Sequence, residues 1–350
     1  MDRKRLLEIT TIGLIATSFL FYVQAARDWN NVWILLAIFS LQQAFFAVNQ
    51  PTRTAILPKL VDTELLPSAN ALNMTVMSAG AIAGPLVGGA LIPVLGYEWL
   101  YFVDTLTLFA TLYAVWRLPS LPVEGVTSSP GFRSVVVGLG YLWVHKLLLM
   151  SFVVDLIAMI FGMPRALFPE VAATEFGGAG DGGIEFALLY AAMPAGSVLG
   201  GLFSGWVVRV TRYGRAVMWA ITAWGAAVIV FGLAVELAPY GRTLMLGIGL
   251  GALVIGGAAD MISASFRQSI LLEEADDALR GRLQGIFIVV VVGGPRLADV
   301  FHGYVSDAVG PSWAITGGGL LVVLGMLACA RIYPRFWRHV STGSRPGQVS

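Results

Sequence analysis

The sequence contains long apolar stretches, and the clearest of them runs from residue 216 to residue 235. It reads AVMWAITAWGAAVIVFGLAV, which is 20 residues without a charged side chain. A helix needs about 20 mostly apolar residues to cross the hydrocarbon core of a bilayer, so this stretch predicts a membrane span. Strands of a membrane barrel would be about half as long and would alternate in polarity. The pattern therefore predicts an all-α polytopic membrane protein.

The composition of the whole chain supports the same class. Of the 350 residues, 57% are hydrophobic and 12% are charged, whereas soluble domains carry about 25% charged residues. This composition excludes an ordinary water-soluble enzyme. The net charge of +1 gives no electrostatic footprint for nucleic acid. The single cysteine, Cys329, excludes an intrachain disulfide and a cysteine-rich metal site.

Ten such stretches predict ten spans, and the basic residues between them predict the orientation. The spans lie near residues 6–26, 31–49, 71–92, 99–116, 147–168, 186–208, 216–235, 243–265, 284–306 and 313–332. Cytoplasmic loops are enriched in Lys and Arg. With the N-terminus inside, 18 of the 22 basic residues, Arg53 and Arg267 among them, fall in cytoplasmic segments. We therefore expect a multi-pass protein of the cytoplasmic membrane with both termini cytoplasmic. The alternative for the first stretch is a signal peptide cleaved after Val23-Gln24-Ala25.

The two halves of the chain match at an offset near 214 residues. Residues 52–57 (TRTAIL) align with residues 266–271 (FRQSIL), and Gly96-x-x-Trp99 aligns with Gly310-x-x-Trp313. Repeats in the same orientation, related by an axis along the membrane normal, are a known plan for transporters.

The repeat predicts the domain organisation. We predict a four-span bundle over residues 1–117, a Pro-, Ser- and Gly-rich cytoplasmic linker over 118–133, a six-span bundle over 134–335 and a tail over 336–350. The stretch from about 133 to 210 has no partner in the first half. We therefore expect that two N-terminal helices are missing, through a misassigned start or a truncation, with a ten-span protein as the alternative.

Two charged segments carry a family resemblance. The N-terminus reads Asp2-Arg3-Lys4-Arg5, and the second half carries Gly201-x-x-x-Gly205 followed by Arg209, Arg212, Gly214 and Arg215. Both resemble the loop motif of the major facilitator superfamily, whose fold is two six-helix halves. The position that is usually acidic in that motif is Arg209 here.

A glycine-rich stretch in the third predicted span carries a second resemblance. Its glycines include Gly80, Gly84, Gly88 and Gly89, with Pro85 between them. Glycines at a spacing of four share one helix face and allow another helix to approach closely, and the proline bends the helix. The stretch resembles the signature of the proton-coupled export branch of the superfamily, although the first expected glycine is Ala71. A packing face without directional meaning is the alternative.

The cytoplasmic stretches at residues 49–55 (NQPTRTA) and 69–73 (ANALN) resemble the enterobactin-exporter-type subgroup of the superfamily. This resemblance implies export of siderophores, macrolide-like drugs or other amphipathic small molecules. Two features depart from the family. Its fourth helix often carries a basic residue tied to proton transfer, where this chain offers only Gln42 and Gln43. The family's first helix, which often holds a coupling acid, is among those we expect to be missing.

An ionisable residue inside a span costs about 2.5–3.5 kcal/mol, so it is a functional candidate by default. Five of them are candidates for a substrate or proton pathway: Asp104, Asp155, Asp260, Arg296 and Asp299. Arg296 and Asp299 lie one helical turn apart and could form a proton-sensitive bridge or a static ion pair. His302, one turn further, could extend a proton relay or simply be solvated.

The remaining three acids lie at different depths. Asp155 lies near the midplane of what resembles the family's seventh helix, where it could bind a cationic cargo or a proton. Its alternative role is to pair with Arg296 alone. Asp104 lies nearer the outer face. Asp260 lies near the cytoplasmic end of its span, where it could snorkel to the interface.

These features predict a secondary active exporter that alternates access and is driven by protons. The expected partners are a small-molecule substrate, protons and the lipid bilayer. The sequence has no P-loop, so it predicts no ATP-binding site. It also shows no nucleophile motif, and we expect no cofactor and no bound metal. The alternatives are a truncated fragment without transport activity and a lipid flippase of the same fold.

Overall fold

The computed structural model describes residues 2–29, 31–62, 65–120, 140–178, 182–203, 205, 209–274 and 277–340. These residues are almost entirely α-helical and contain no β-strand, which confirms the predicted class. In chain order the helices are α1 (Arg3–Ala26), α2 (Val32–Leu60), α3 (Leu66–Trp116), α4 (Lys146–Phe161), α5 (Phe168–Thr174), α6 (Ile184–Leu202), α7 (Tyr213–Glu236), α8 (Arg242–Glu274), α9 (Asp277–Val309), α10 (Pro311–Ile332) and α11 (Pro334–Trp337).

The chain divides into two compact units. Residues 1–80 and 87–127 form the first, and residues 81–86 and 128–350 form the second. The predicted linker lies outside the described residues from 121 onward, and the predicted tail from 341 onward. The proposed equivalence of bundles 1–117 and 134–335 stays a prediction.

The first unit contains α1, α2 and most of α3. Side chains cap two of its helices: the Asp2 carboxylate accepts a hydrogen bond from the Lys4 backbone N–H at 2.9 Å, and Asn31 caps α2 in the same way. Caps of this kind satisfy backbone donors that the first helical turn leaves free. The buried apolar core in the described part of this unit is small and centres on Leu7, Ile56 and Val115.

The element α3 consists of two helical segments, which cover two of the predicted spans, 71–92 and 99–116. Its backbone is non-helical at Gly96, where φ is 73° and ψ is 167°. That region of backbone space is accessible essentially only to glycine. The break at Gly96 lies between the two predicted spans, because a glycine can adopt dihedral angles that end one helix and start the next. The bend at Pro85 stays a prediction.

The second unit holds a large core in which helices pack backbone to backbone. A Cβ at Gly196 of α6 would collide with the carbonyl oxygen of Val254 on α8, and a Cβ at Gly257 of α8 would collide with that of Met193. Small residues allow helices to approach this closely in a membrane. The contact brings α6 and α8 together at residues 254–258 of α8.

The predicted span 147–168 is not one helix. Helix α4 ends at Phe161, and Gly162 and Pro164 precede a 3-10 turn at Arg165–Leu167 and then α5. Glycine and proline both disfavour a continuous helix. The backbone carbonyls freed by the break find side-chain partners: Trp224 Nε1 donates to the Gly162 oxygen at 3.1 Å.

Helix α8 is longer than predicted, which corrects the position of one arginine. The predicted span ended at residue 265, but α8 continues to Glu274. Arg267, which we expected in a cytoplasmic loop, therefore lies within the helix. The same extension moves Asp260 from the end of a span to the middle of α8.

Among the described residues, eight helices are long and apolar enough to cross a membrane. One of them, Thr75–Trp116, has 42 residues, more than the 20 that a single crossing needs. Helix α9, over the predicted span 284–306, is not among the eight. The count of ten spans therefore stays a prediction.

Candidate functional site: a buried ion cluster in the second unit

Arg267 lies at the centre of a buried ion cluster. Its Nη1 atom is 2.6 Å from Asp155 Oδ1 on α4, and its Nη2 atom is 4.0 Å from Asp260 Oδ1 on its own helix. Asp260 precedes Arg267 by seven residues, which is about two helical turns and places both on one face. The exposed fractions of the side chains are 2% for Arg267, 1% for Asp155 and 21% for Asp260.

The hydrogen bonding of this cluster is incomplete. Both carboxylate oxygens of Asp155, Oδ1 of Asp260, and Nε and Nη1 of Arg267 lack a hydrogen-bond partner among the described residues. The 2.6 Å contact is therefore a close ion pair whose N–H is not aligned with the acceptor. Buried polar groups are nearly always hydrogen-bonded, and exceptions often mark functional positions.

The charges of the cluster do not balance. Two carboxylates face one guanidinium, so full ionisation of all three groups leaves a net negative charge on the cluster. Arg165, in the turn before α5, offsets this charge in part because it interacts electrostatically with Asp260. Uncompensated buried charges are costly. A proton on one carboxylate, or a cationic group of a bound molecule, would neutralise the cluster.

The predicted pair on α9 forms, but it is more exposed. Arg296 Nη1 lies 3.6 Å from Asp299 Oδ2, and the exposed fractions are 55% and 35%. The alternative in which Asp155 pairs with Arg296 is wrong, because the cation beside Asp155 is Arg267. The misplaced end of α8 caused that error. Seven-residue spacing from Asp260 was the signal that could have found Arg267.

His302 is buried rather than solvated. Its exposed fraction is zero, and its Nε2 atom lies 3.1 Å from the carbonyl oxygen of Phe161, the last residue of α4. Its Nδ1 atom has no hydrogen-bond partner among the described residues. The ring therefore contacts the break between α4 and α5, whereas a relay from Asp299 stays a prediction.

The buried polar side chains in the described part of the first unit are uncharged, and Asp104 is exposed. The Ser18 hydroxyl donates to the Asp104 carboxylate. A second set was missed from the sequence: Asn49 Nδ2 donates to the hydroxyls of Thr10 at 2.9 Å and Thr11 at 3.3 Å, and all three residues are buried. The adjacent threonines in the first predicted span were the available signal.

The glycine motif was predicted to allow the close approach of another helix. No described atom lies within 4 Å of a Cβ built on Gly80, Gly84 or Gly88. Small residues at this spacing permit close packing but do not cause it, and the role of these glycines as an export motif stays a prediction. Gly89 is buried, and Pro85 is half-buried.

Each copy of the loop motif makes contacts within its own unit. In the first copy, Asp2 caps α1, and its Oδ2 atom accepts a hydrogen bond from the Ser120 hydroxyl at 2.6 Å. Arg3 is half-buried and Arg5 is exposed. In the second copy, Arg212 precedes α7 and is exposed, while the Arg215 guanidinium lies 5.3 Å from the ring centroid of Trp337.

Comparison with known families and structures agrees with this architecture. The family model described as Major Facilitator Superfamily matches residues 1–298. The chain belongs to the major facilitator superfamily. It is therefore a multi-pass membrane transporter and not an enzyme.

Curated relatives and solved structures match most of the chain. The enterobactin exporter EntS of Shigella boydii and that of Escherichia coli are both 27% identical to it over 315 residues, covering 87% of this chain and 71% of each relative. An auto-inhibited POT family peptide transporter shares the fold with a TM-score of 0.73 at 12% identity, covering 99% of this chain and 84% of that one. A bacterial homologue of the iron transporter ferroportin in an outward-facing state matches with a TM-score of 0.55 at 14% identity. The match covers 96% of this chain and 84% of that one.

Proposed function

We propose that this transporter is a proton-coupled exporter of a small amphipathic molecule that works by alternating access in the cytoplasmic membrane. The observation that carries the proposal is the buried cluster in which the Asp155 and Asp260 carboxylates share the Arg267 guanidinium. The similarity to enterobactin exporters supports export as the direction and a siderophore as the first cargo to test.

The cluster can act as a proton-dependent link between two helices. Asp155 lies on α4, and Arg267 lies on α8 with Asp260. A proton on Asp155 removes its attraction for Arg267, which then has the Asp260 carboxylate on its own helix as its partner. The ion pair between α4 and α8 is therefore weakened by protonation and restored by deprotonation. A two-state element of this kind can couple a charge change to a conformational change.

The excess of basic residues in the loops expected inside supports cytoplasmic termini. Moving Arg267 from a loop into α8 removes one residue from a large excess and leaves its direction unchanged.

Transport into inverted membrane vesicles tests the proposal. Vesicles with an acid interior should accumulate labelled enterobactin, or a member of a panel of amphipathic dyes, when they contain the wild-type chain. A protonophore should abolish this accumulation. Asp155→Asn, which mimics a permanently protonated carboxyl, should abolish it as well.

The matched control is Asp307→Asn, which changes the same functional group at an exposed position of α9. We expect it to retain most of the gradient-driven accumulation. Wild-type accumulation that is unchanged by the protonophore would refute proton coupling. Full activity of Asp155→Asn would refute the role of the cluster.

A further inference from the structure

A groove lies on the second unit where α10 ends and α7 begins, beside the short helix α11. Its volume is about 410 Å³. Met218 and Met326 form a buried floor, and the exposed side chains of Trp219 and Leu327 form apolar walls. Trp337 of α11 also lines the groove.

The sequence holds α11 in place beside this groove. A Cβ at Gly214 in the first turn of α7 would collide with the carbonyl oxygen of Phe336, so glycine permits the close approach of α11. The Trp337 ring is held between two partners: its centroid lies 6.0 Å from that of Trp219 and 5.3 Å from the Arg215 guanidinium carbon. The groove is therefore preformed.

The charged residues that line the groove are basic. Arg331, in the last turn of α10, and Arg338, just after α11, are both exposed. No acidic side chain occurs among the described residues that line it. The nearby Glu273 and Glu274 interact electrostatically with His339 and are not part of the lining. The groove thus has an apolar interior and a cationic rim, and it lies at the end of a membrane span.

We propose that this groove binds one anionic phospholipid. The phosphate lies between Arg331 and Arg338, and an acyl chain lies along Met218, Trp219, Met326 and Leu327. Three features favour this occupant. The basic residues stand at the end of the span Pro311–Ile332, where headgroups lie. Trp219 is of the type enriched at the membrane interface. Basic pockets at the cytoplasmic ends of spans bind anionic headgroups.

Native mass spectrometry of the purified full-length chain in detergent, titrated with phosphatidylglycerol or with phosphatidylcholine of the same acyl chains, tests the proposal. We expect tighter binding of one phosphatidylglycerol than of phosphatidylcholine. The Arg331→Gln, Arg338→Gln double variant should weaken phosphatidylglycerol binding about 30-fold. Each basic residue near the membrane surface raises the affinity for an anionic lipid about fivefold.

Arg335→Gln is the matched control, because Arg335 is an exposed arginine of the same short helix α11 that does not line the groove. We expect the control to bind like the wild type. Trp219→Ala should weaken binding of phosphatidylglycerol without any change of charge.

Three results would overturn the proposal. They are equal wild-type affinity for the two lipids, equal weakening by Arg335→Gln and by the double variant, and unchanged binding in Trp219→Ala. The first of these needs no variant, so the proposal stays falsifiable if a substitution prevents folding.

Discussion

Arg53 and Arg267 occupy the same position of the internal repeat, yet their surroundings differ. Arg53 lies on α2 and is exposed, whereas Arg267 lies on α8 with an exposed fraction of 2%. At the offset that aligns the two arginines, the residue corresponding to Asp260 is Phe46, which lines the same cavity as Arg53 in the first unit. Under the predicted repeat the two arginines have equivalent positions, and the buried one, Arg267, is the one that lies beside the carboxylates of Asp155 and Asp260.

The backbone of the two units agrees where the side chains differ. Gly96 has φ 73° and ψ 167°, and its repeat partner Gly310 has φ 86° and ψ 159°. Each is followed three residues later by a tryptophan, Trp99 or Trp313. Geometry that depends on a glycine is thus repeated, while the charge pattern is specific to the second unit.

Replacement of the two arginines is expected to give the largest difference between the units in the free energy of unfolding. Arg267→Gln leaves two carboxylates without a buried cation, and breaking a buried pair in this way costs about 3–5 kcal/mol of the free energy of unfolding. Arg53→Gln removes an exposed charge and should change it by no more than about 0.5 kcal/mol. Denaturant unfolding of the purified variants in detergent measures both. Equal losses would show that the burial of Arg267 has no energetic consequence.

The two acids of the cluster should also differ in how much stability is lost when each is replaced by asparagine. Asp155→Asn removes the carboxylate at 2.6 Å from a fully buried position, whereas Asp260→Asn removes one at 4.0 Å that is 21% exposed. We expect a loss of about 2–3 kcal/mol for the first and less than about 1 kcal/mol for the second. The same unfolding measurement checks the order, and a larger loss for Asp260→Asn would reverse our assignment of the primary pair.

Alanine at the two repeat glycines tests the shared backbone. A Cβ at Gly96 or Gly310 meets no described atom within 4 Å, so the penalty comes from the positive φ alone. We expect about 1–3 kcal/mol at each position, seen as similar decreases in Tm. A decrease at only one of them would contradict the equivalence of the two turns.

The smallest expected effect concerns His339, at the end of the second unit. Burial lowers the pKa of the His339 imidazole below its ordinary value, although Glu273 and Glu274 oppose this shift. The folded state therefore disfavours the protonated ring. The neutral His339 ring therefore makes its full contribution to stability above about pH 6.5, and this contribution is lost as the pH falls below that value. The Tm of the wild type should decline slightly more between pH 7 and pH 5.5 than that of His339→Gln. Identical declines would contradict this assignment.

Much of the fold was predictable because membrane spans have a composition that is independent of tertiary contacts. The helical class and the acids within the spans followed from apolar stretches and from the charges inside them. The superfamily was identified from the resemblance of the loop motif, the glycine motif and the cytoplasmic stretches. The end of α8 did not, because a length of about 20 residues defines a crossing but not the helix that contains it. The break after Phe161 was also missed, although Gly162 and Pro164 signalled it.

The composition of the site was only partly predictable for the same reason. Asp155 and Asp260 were found as isolated charges, but their shared partner Arg267 was assigned to a loop. Pairing between α4 and α8 depends on helix packing, for which the sequence carries no direct signal. The buried Asn49 with Thr10 and Thr11 illustrates the same gap, since uncharged polar residues do not stand out in an apolar span.

The most direct test of the central claim compares two transport modes in proteoliposomes containing Asp155→Asn. One mode is exchange of labelled for unlabelled enterobactin, or for a transported dye, without a pH gradient, and the other is accumulation driven by a gradient. If the Asp155, Arg267 and Asp260 cluster couples transport to protons, the variant retains exchange and loses gradient-driven accumulation. Gradient-driven accumulation at the wild-type level in this variant would contradict the account.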